Sequence, residues 1–301
     1  MNTSYRKLLQ HEIKTFINSS PPSKELAYDS IKNFKFFPPN NYIKWQHLLP
    51  KEEFTAYVDW LINVREKLML PTDFSATTII IIARYLSILE NPDFLFEKEL
   101  FMNNKPNHFI SAFILTSKLM EYPVPSIKQF SDVLKMDVDA FWIQNMRIEL
   151  NMIKAFCCRF GVPPISRSEL VRRVAYAVWF VGKIENIIQH EDDFNSELFW
   201  TVDREAVSVV EKAFFFADMS LYDTNLLACN PYDIAIACLI LGCKAVESTK
   251  TTTRMLQYEL ISGANAIVKI RTPTVRAIES LITKVVQQKQ VKKIVEELAE
   301  P

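Results

Sequence analysis

Glycine is scarce in this chain: four in 301 residues, at Gly161, Gly182, Gly242 and Gly263. They form no phosphate-cradling loop of the G-x-G-x-x-G or P-loop kind, which removes those routes to nucleotide binding. An excess of either charge is lacking too, since thirty-five basic and thirty-five acidic residues give a formal net charge of zero. Without a basic surplus there is no strong field for phosphate backbones or acidic membranes, and nucleic-acid binding is not expected. The four histidines (His11, His47, His108, His190) are scattered and no CxxC pair occurs, so no metal site is expected. Five cysteines (Cys157, Cys158, Cys229, Cys238, Cys243) are an odd number lying mostly in apolar helical patterns, where cysteine acts as a small hydrophobe. A reduced, intracellular chain is the expectation. The longest apolar runs, 77–83 and 175–182, are too short to span a bilayer, and residues 1–6 lack the charged, apolar and small-residue order of a signal peptide. No cofactor, membrane partner or small-molecule ligand is expected.

What is present is helix, nearly throughout. Length and a 49% hydrophobic, 23% charged composition suit a globular chain of two domains. Phe54, Tyr57, Val58, Leu61, Val64 and Leu68 recur at three and four, the face of one helix, which Pro71 stops. Asp73 or Ser75 is expected to cap the next, with Ile79, Ile82, Leu86 and Leu89 inward. Its four consecutive isoleucines favour strand by propensity, but the flanking period argues helix. A loop over 91–106 is expected, then an apolar helix from Asn107 carrying Lys118 and ended by Pro123 and Pro125. A short helix over 126–134 and a long one over 138–159 complete a five-helix unit, closed by the Gly161-Val-Pro-Pro164 cluster. Lys118 sits near the end of its apolar run with Glu149 on the next long helix. A cation on a core-facing stripe is costly unless a carboxylate or a partner meets it.

The second half repeats the scheme, with helices expected over 168–188, 204–219, 231–246, 252–260 and 273–288. A shift of 126 superposes Ile110, Ile114, Leu115, Lys118 and Glu121 on Ile236, Ile240, Leu241, Lys244 and Glu247, which suggests duplication. Asn230 before Pro231 is a cap and first-turn pair. The resulting domain reading is an N-terminal helical extension over 1–50, with helices over 5–17 and 24–34, five-helix units over 51–162 and 163–288, and a tail over 289–301.

These residues resemble the cyclin family, whose fold is two consecutive five-helix cyclin boxes. The resemblance is carried by Val58-Asp59-Trp60-Leu61, Ala83-Arg-Tyr-Leu86, Ser117-Lys118 with Glu121 and Pro125, and Arg147-Ile-Glu149. In the second half it is carried by Met219-Ser-Leu221 and by Asn230-Pro231 with Ala235 and Ala237. It implies an all-α protein of tandem cyclin boxes that regulates, as one half of a heterodimer, a cyclin-dependent protein serine/threonine kinase. It also implies a nuclear or cytoplasmic location and no chemistry of the chain's own. Lys118 and Glu149 occupy the positions whose lysine and glutamate centre the family's kinase-gripping surface. Leu115, Leu119 and Ile153 would surround them with apolar contact.

Two departures stand out. Where the family carries a buried arginine and aspartate on its first two helices, this chain has Phe54 and Ala83. Loss of both partners is tolerable where loss of one is not. Glu53 replaces the methionine of the family's substrate-docking patch while Trp60, which is equally a core aromatic, remains, so docking is expected to be absent or altered. Alternatives stay open: a cyclin-fold transcription factor of the TFIIB type, an unrelated helical scaffold, or an enzyme using acids such as Glu191, Asp192 and Asp193. Arg6-Lys-Leu-Leu9 has the RxxL shape of a degradation signal.

Overall fold

A computed structural model of the chain describes residues 3–19, 23–32, 44–123, 138–156, 166–181, 204–246 and 250–299. Among these the protein is all-α. The expected short helix over 126–134, the Gly161–Pro164 cluster and the acids at 191–193 lie outside the described residues. The chain divides into two compact units, one of residues 38–166 and the other of residues 1–37 with 167–301.

The first unit opens with a 3-10 turn, Lys44–His47, whose Trp45 is wholly buried together with Leu48 and Leu49. It continues through α3 (Lys51–Lys67), α4 (Asp73–Leu89), α5 (Leu95–Asn103), α6 (Lys105–Leu119) and α7 (Val138–Ala155). The face expected of α3 is the one that is buried, through Phe54, Val58, Leu61 and Val64. Its end precedes Pro71: Met69 adopts a left-handed conformation (φ 53°), and the Leu70 N–H reaches back to the Arg65 carbonyl. That is a Schellman closure made without glycine. α4 is helical despite its isoleucines, but it starts from Thr72 with no side-chain cap. The expected caps are engaged elsewhere: Asp73 accepts a hydrogen bond from Ser166, and Ser75 faces the Leu61 carbonyl. The expected loop over 91–106 is instead a 3-10 turn capped by Asn91 and then α5, which buries Phe101.

α6 is the centre of this unit, with every residue from His108 to Ser117 buried. Thr116 Oγ1 lies 2.9 Å from Thr78 Oγ1 on α4, and Ser111 donates to the side chain of buried Asn145 on α7 at 3.1 Å. Polar side chains therefore fix the register of an otherwise apolar helix against both neighbours.

The second unit contains α1 (Thr3–Ser19), α2 (Lys24–Lys32), α8 (Arg167–Ala175), α9 (Arg204–Met219), the single turn α10 (Thr224–Leu227), α11 (Pro231–Ala245), α12 (Lys250–Ile267) and α13 (Thr272–Ala299). Its central helix is α11, buried from Pro231 to Cys243 and capped as expected by Asn230, whose side chain accepts the Tyr232 N–H at 2.9 Å. Gly242 is required there, because a Cβ would lie 2.5 Å from the Val209 carbonyl of α9. α8 runs into one π-helical turn, Tyr176–Phe180, and the rest of the helix expected to residue 188 lies beyond 181, outside the described residues. α12 extends beyond the expected residue 260 to Ile267 and passes through Gly263, where a Cβ would come within 2.9 Å of Val178. α13 continues through the expected tail to Ala299.

α1 and α2 of the N-terminal extension fall in the second unit. Leu9, Ile13 and Ile17 of α1 are buried, and Phe16 meets Tyr176 edge-on at 6.1 Å. Arg172 of α8 bonds Glu12 at 3.2 Å and Glu169 at 2.8 Å and lies over the Phe16 and Phe214 rings. Burial raises the Glu169 pKa, but Arg172 and Arg173 outweigh it and hold the carboxyl below its ordinary value.

Candidate functional site

After its first turn α6 is buried until its last, where the first side chain to emerge is Lys118. The helix closes as α3 does: Glu121 takes a left-handed conformation (φ 54°) and the Tyr122 N–H reaches the Ser117 carbonyl at 2.9 Å. The expectation of a core-facing cation is therefore corrected. The Lys118 side chain is half-exposed and Glu149 is the buried member of the pair. The two form an ion pair across α6 and α7, as expected. Lys118 also lies in the last turn of its helix, where backbone carbonyls favour a cation. Deleting Lys118 alone would strand a buried carboxylate, which is worse than deleting both.

Of the apolar residues expected around the pair, Leu115 is 4% exposed and belongs to the core, so it offers no contact area. Leu119 and Ile153 are partly exposed. Sequence reasoning missed Met146 and Leu150, which are 50% and 53% exposed. They share one side of α7 with Ile153, four and three residues apart, immediately beside Glu149. The signal was available: the α7 core face is filled by Asn145, Ile148, Met152 and Ala155. Further apolar residues there exceed what one stripe can bury. The site is a charged pair with an uncovered apolar row along its α7 side.

An equivalent pair exists in the second unit. Lys244, at the end of central helix α11, pairs with Glu279 of α13, and the exposures match: 52% and 13% against 52% and 10%. The flanks differ. Arg276, Ser280 and Thr283 stand at the positions relative to Glu279 that Met146, Leu150 and Ile153 take relative to Glu149. The pair alone is thus a property of both halves, and the apolar row distinguishes the first.

The two family departures are visible in place. Phe54 and Ala83 are both buried to within 1%, so apolar atoms occupy both positions. Glu53 receives the Lys105 ammonium at 2.7 Å, which puts an ion pair where the docking methionine would be, and Trp60 beside it is partly buried. Burial, with Glu53 nearby, pushes the Tyr57 phenol up to about 12.

No group of three or more metal-binding side chains occurs among the described residues, and no described helix is long and apolar enough to cross a membrane. Cys238 and Cys243 are buried thiols pushed up to about 12 by burial. Residues 26–161 match the family model described as the cyclin N-terminal domain. No curated protein matches the chain.

Proposed function

We propose, from the match of residues 26–161 to the cyclin N-terminal domain, that the chain is a cyclin-family regulatory subunit of a cyclin-dependent protein kinase, gripping it through Lys118, Glu149, Leu119, Met146, Leu150 and Ile153. The observation that carries the reading is the uncovered row of Met146 and Leu150 beside a preformed ion pair. Apolar side chains around a polar centre are the composition of an interface core. We further propose that residues 163–288 form a second cyclin box, given the matching build of α6 and α11, and that the protein works in the nucleus or cytoplasm.

Activation on this reading is a population shift. A kinase is competent when its regulatory helix brings a glutamate to the ATP-contacting lysine, and a partner that binds only that arrangement enriches it. Moving a 1:99 equilibrium to 99:1 takes about 5.5 kcal/mol of differential binding. The Lys118 ammonium and Glu149 carboxylate can bond backbone groups of the segment leading into that helix, and the apolar row supplies the surrounding area.

The test is capture of a kinase from cells by the tagged chain, compared with Lys118→Ala/Glu149→Ala and Met146→Ala/Leu150→Ala. The expected result is a bound cyclin-dependent kinase lost in both double variants, each of which keeps its melting transition. Unchanged kinase capture by both folded variants overturns the assignment.

A further inference from the structure

α1 and α9 form an open pocket of about 440 Å³ in the second unit, far in sequence from the Lys118 site. Gln10, His11 and Lys14 line it from one helix, and Arg204, Val207, Ser208 and Glu211 from the other. Lys14 is three and four residues from His11 and Gln10, and Arg204, Val207, Ser208 and Glu211 follow the same three-and-four spacing, so each set shares a face. Val207 and Glu211 are buried, while Gln10, His11 and Arg204 are exposed and Lys14 and Ser208 are partly so. The accessible part of the lining is therefore made of hydrogen-bond donors.

Among the described residues, His11, Lys14 and Arg204 have no ion-pair or hydrogen-bond partner, and Glu211, the only acid of the lining, is itself engaged. Two cations, Lys14 and Arg204, and the His11 imidazole thus line one pocket from two helices, with the Glu211 carboxylate the single acid beside them. We propose that this pocket binds a phosphomonoester, carried by a phosphorylated side chain of a protein segment. A carboxylate offers one charge and two oxygens, whereas a phosphomonoester offers nearly two charges and three acceptor oxygens to set against three donors. The arginine fork suits paired oxygens, and the lysine acts as a point charge. The volume falls in the range that holds an organic ligand, so there is room for the atoms bearing the phosphate, with Val207 as their apolar contact.

This inference does not depend on kinase regulation, and its test uses the isolated full-length chain. Calorimetric titration would compare inorganic phosphate, the peptide Ala-Gly-phosphoserine-Gly-Ala and its unphosphorylated twin. The expected result is saturable binding of the phosphopeptide, none of the twin, and about tenfold or greater weakening by each of Lys14→Gln and Arg204→Gln. Lys212→Gln, which changes an exposed lysine of α9 outside the lining, is expected to leave binding unchanged. Inorganic phosphate that binds as well as the phosphopeptide retains the anion chemistry but overturns the peptide source. Absence of binding by both phosphate probes at millimolar concentration, or equal weakening by Lys212→Gln, overturns the site itself.

Discussion

The rings of Tyr85 on α4 and His108 on α6 stack with centroids 5.6 Å apart, and each holds a buried polar atom, the phenol oxygen and Nε2, without a hydrogen-bond partner. His108 Nδ1 lies 2.9 Å from the Asn104 carbonyl, which can only accept, so Nδ1 carries the proton and Nε2 the lone pair. Burial lowers the His108 pKa to about 4, against the small opposing effect of the Asn104 bond.

His108 gives the first prediction. Its folded pKa is below the ordinary 6.5, so between roughly pH 6.5 and 4 the unfolded chain binds more protons and stability falls on acidification. The full window is worth about 3 kcal/mol. Urea unfolding of the wild type and His108→Phe at pH 7.5 and 4.5 checks it. The variant should lose less stability between the two, by about 2.5 kcal/mol, because pH 4.5 lies short of the folded value.

Tyr85→Phe removes a buried hydroxyl that contributes no protein hydrogen bond, so its cost should be under about 1 kcal/mol or become a gain. A melting temperature well below that of wild type would show that the hydroxyl is satisfied.

Phe54 and Ala83 give a third. Phe54→Arg alone, or Ala83→Asp alone, puts an unpaired charge into a closed core and should destabilise by about 3–5 kcal/mol. The double variant restores the family's partners and should cost less than the sum by more than 1 kcal/mol, as a double-mutant cycle would show. Additive losses would mean that the two positions do not meet.

The second-unit pair is the control for the first. Lys244→Ala/Glu279→Ala should leave kinase capture unchanged, because that pair lacks an apolar row. Capture lost equally in both pair variants would move the grip away from α6 and α7.

Arg172→Leu should destabilise the second unit by about 1–3 kcal/mol, since part-buried Glu12 loses its cation while Glu169 keeps Arg173. Limited proteolysis should then cut within α1 first. Equal resistance in variant and wild type would show that the apolar face of α1 suffices.

Periodicity made the helices legible because each buries one stripe, and the pairing of Lys118 with Glu149 was expected from a core-facing cation, whereas the buried member is Glu149. Less visible was anything set by the third dimension. α5 reads as loop, since its only buried side chain is Phe101. The helix ends at Met69 and Glu121 lie at residues with no turn propensity, and the prolines that seemed to stop those helices come later. Leu115 and Leu150 have the same side chain, and only packing decides that one is core and the other surface.

The contact between Glu12 and Arg172 spans 160 positions of chain. On a ribosome adding 5–20 residues per second, α1 waits roughly ten to forty seconds before α9, the helix that packs against it, has been made. The first unit is complete before then, so the earliest helix made is among the last to find its place. For that interval its apolar side is open to chaperones, which crosslinking on stalled chains would detect as contacts that disappear once residue 220 has emerged.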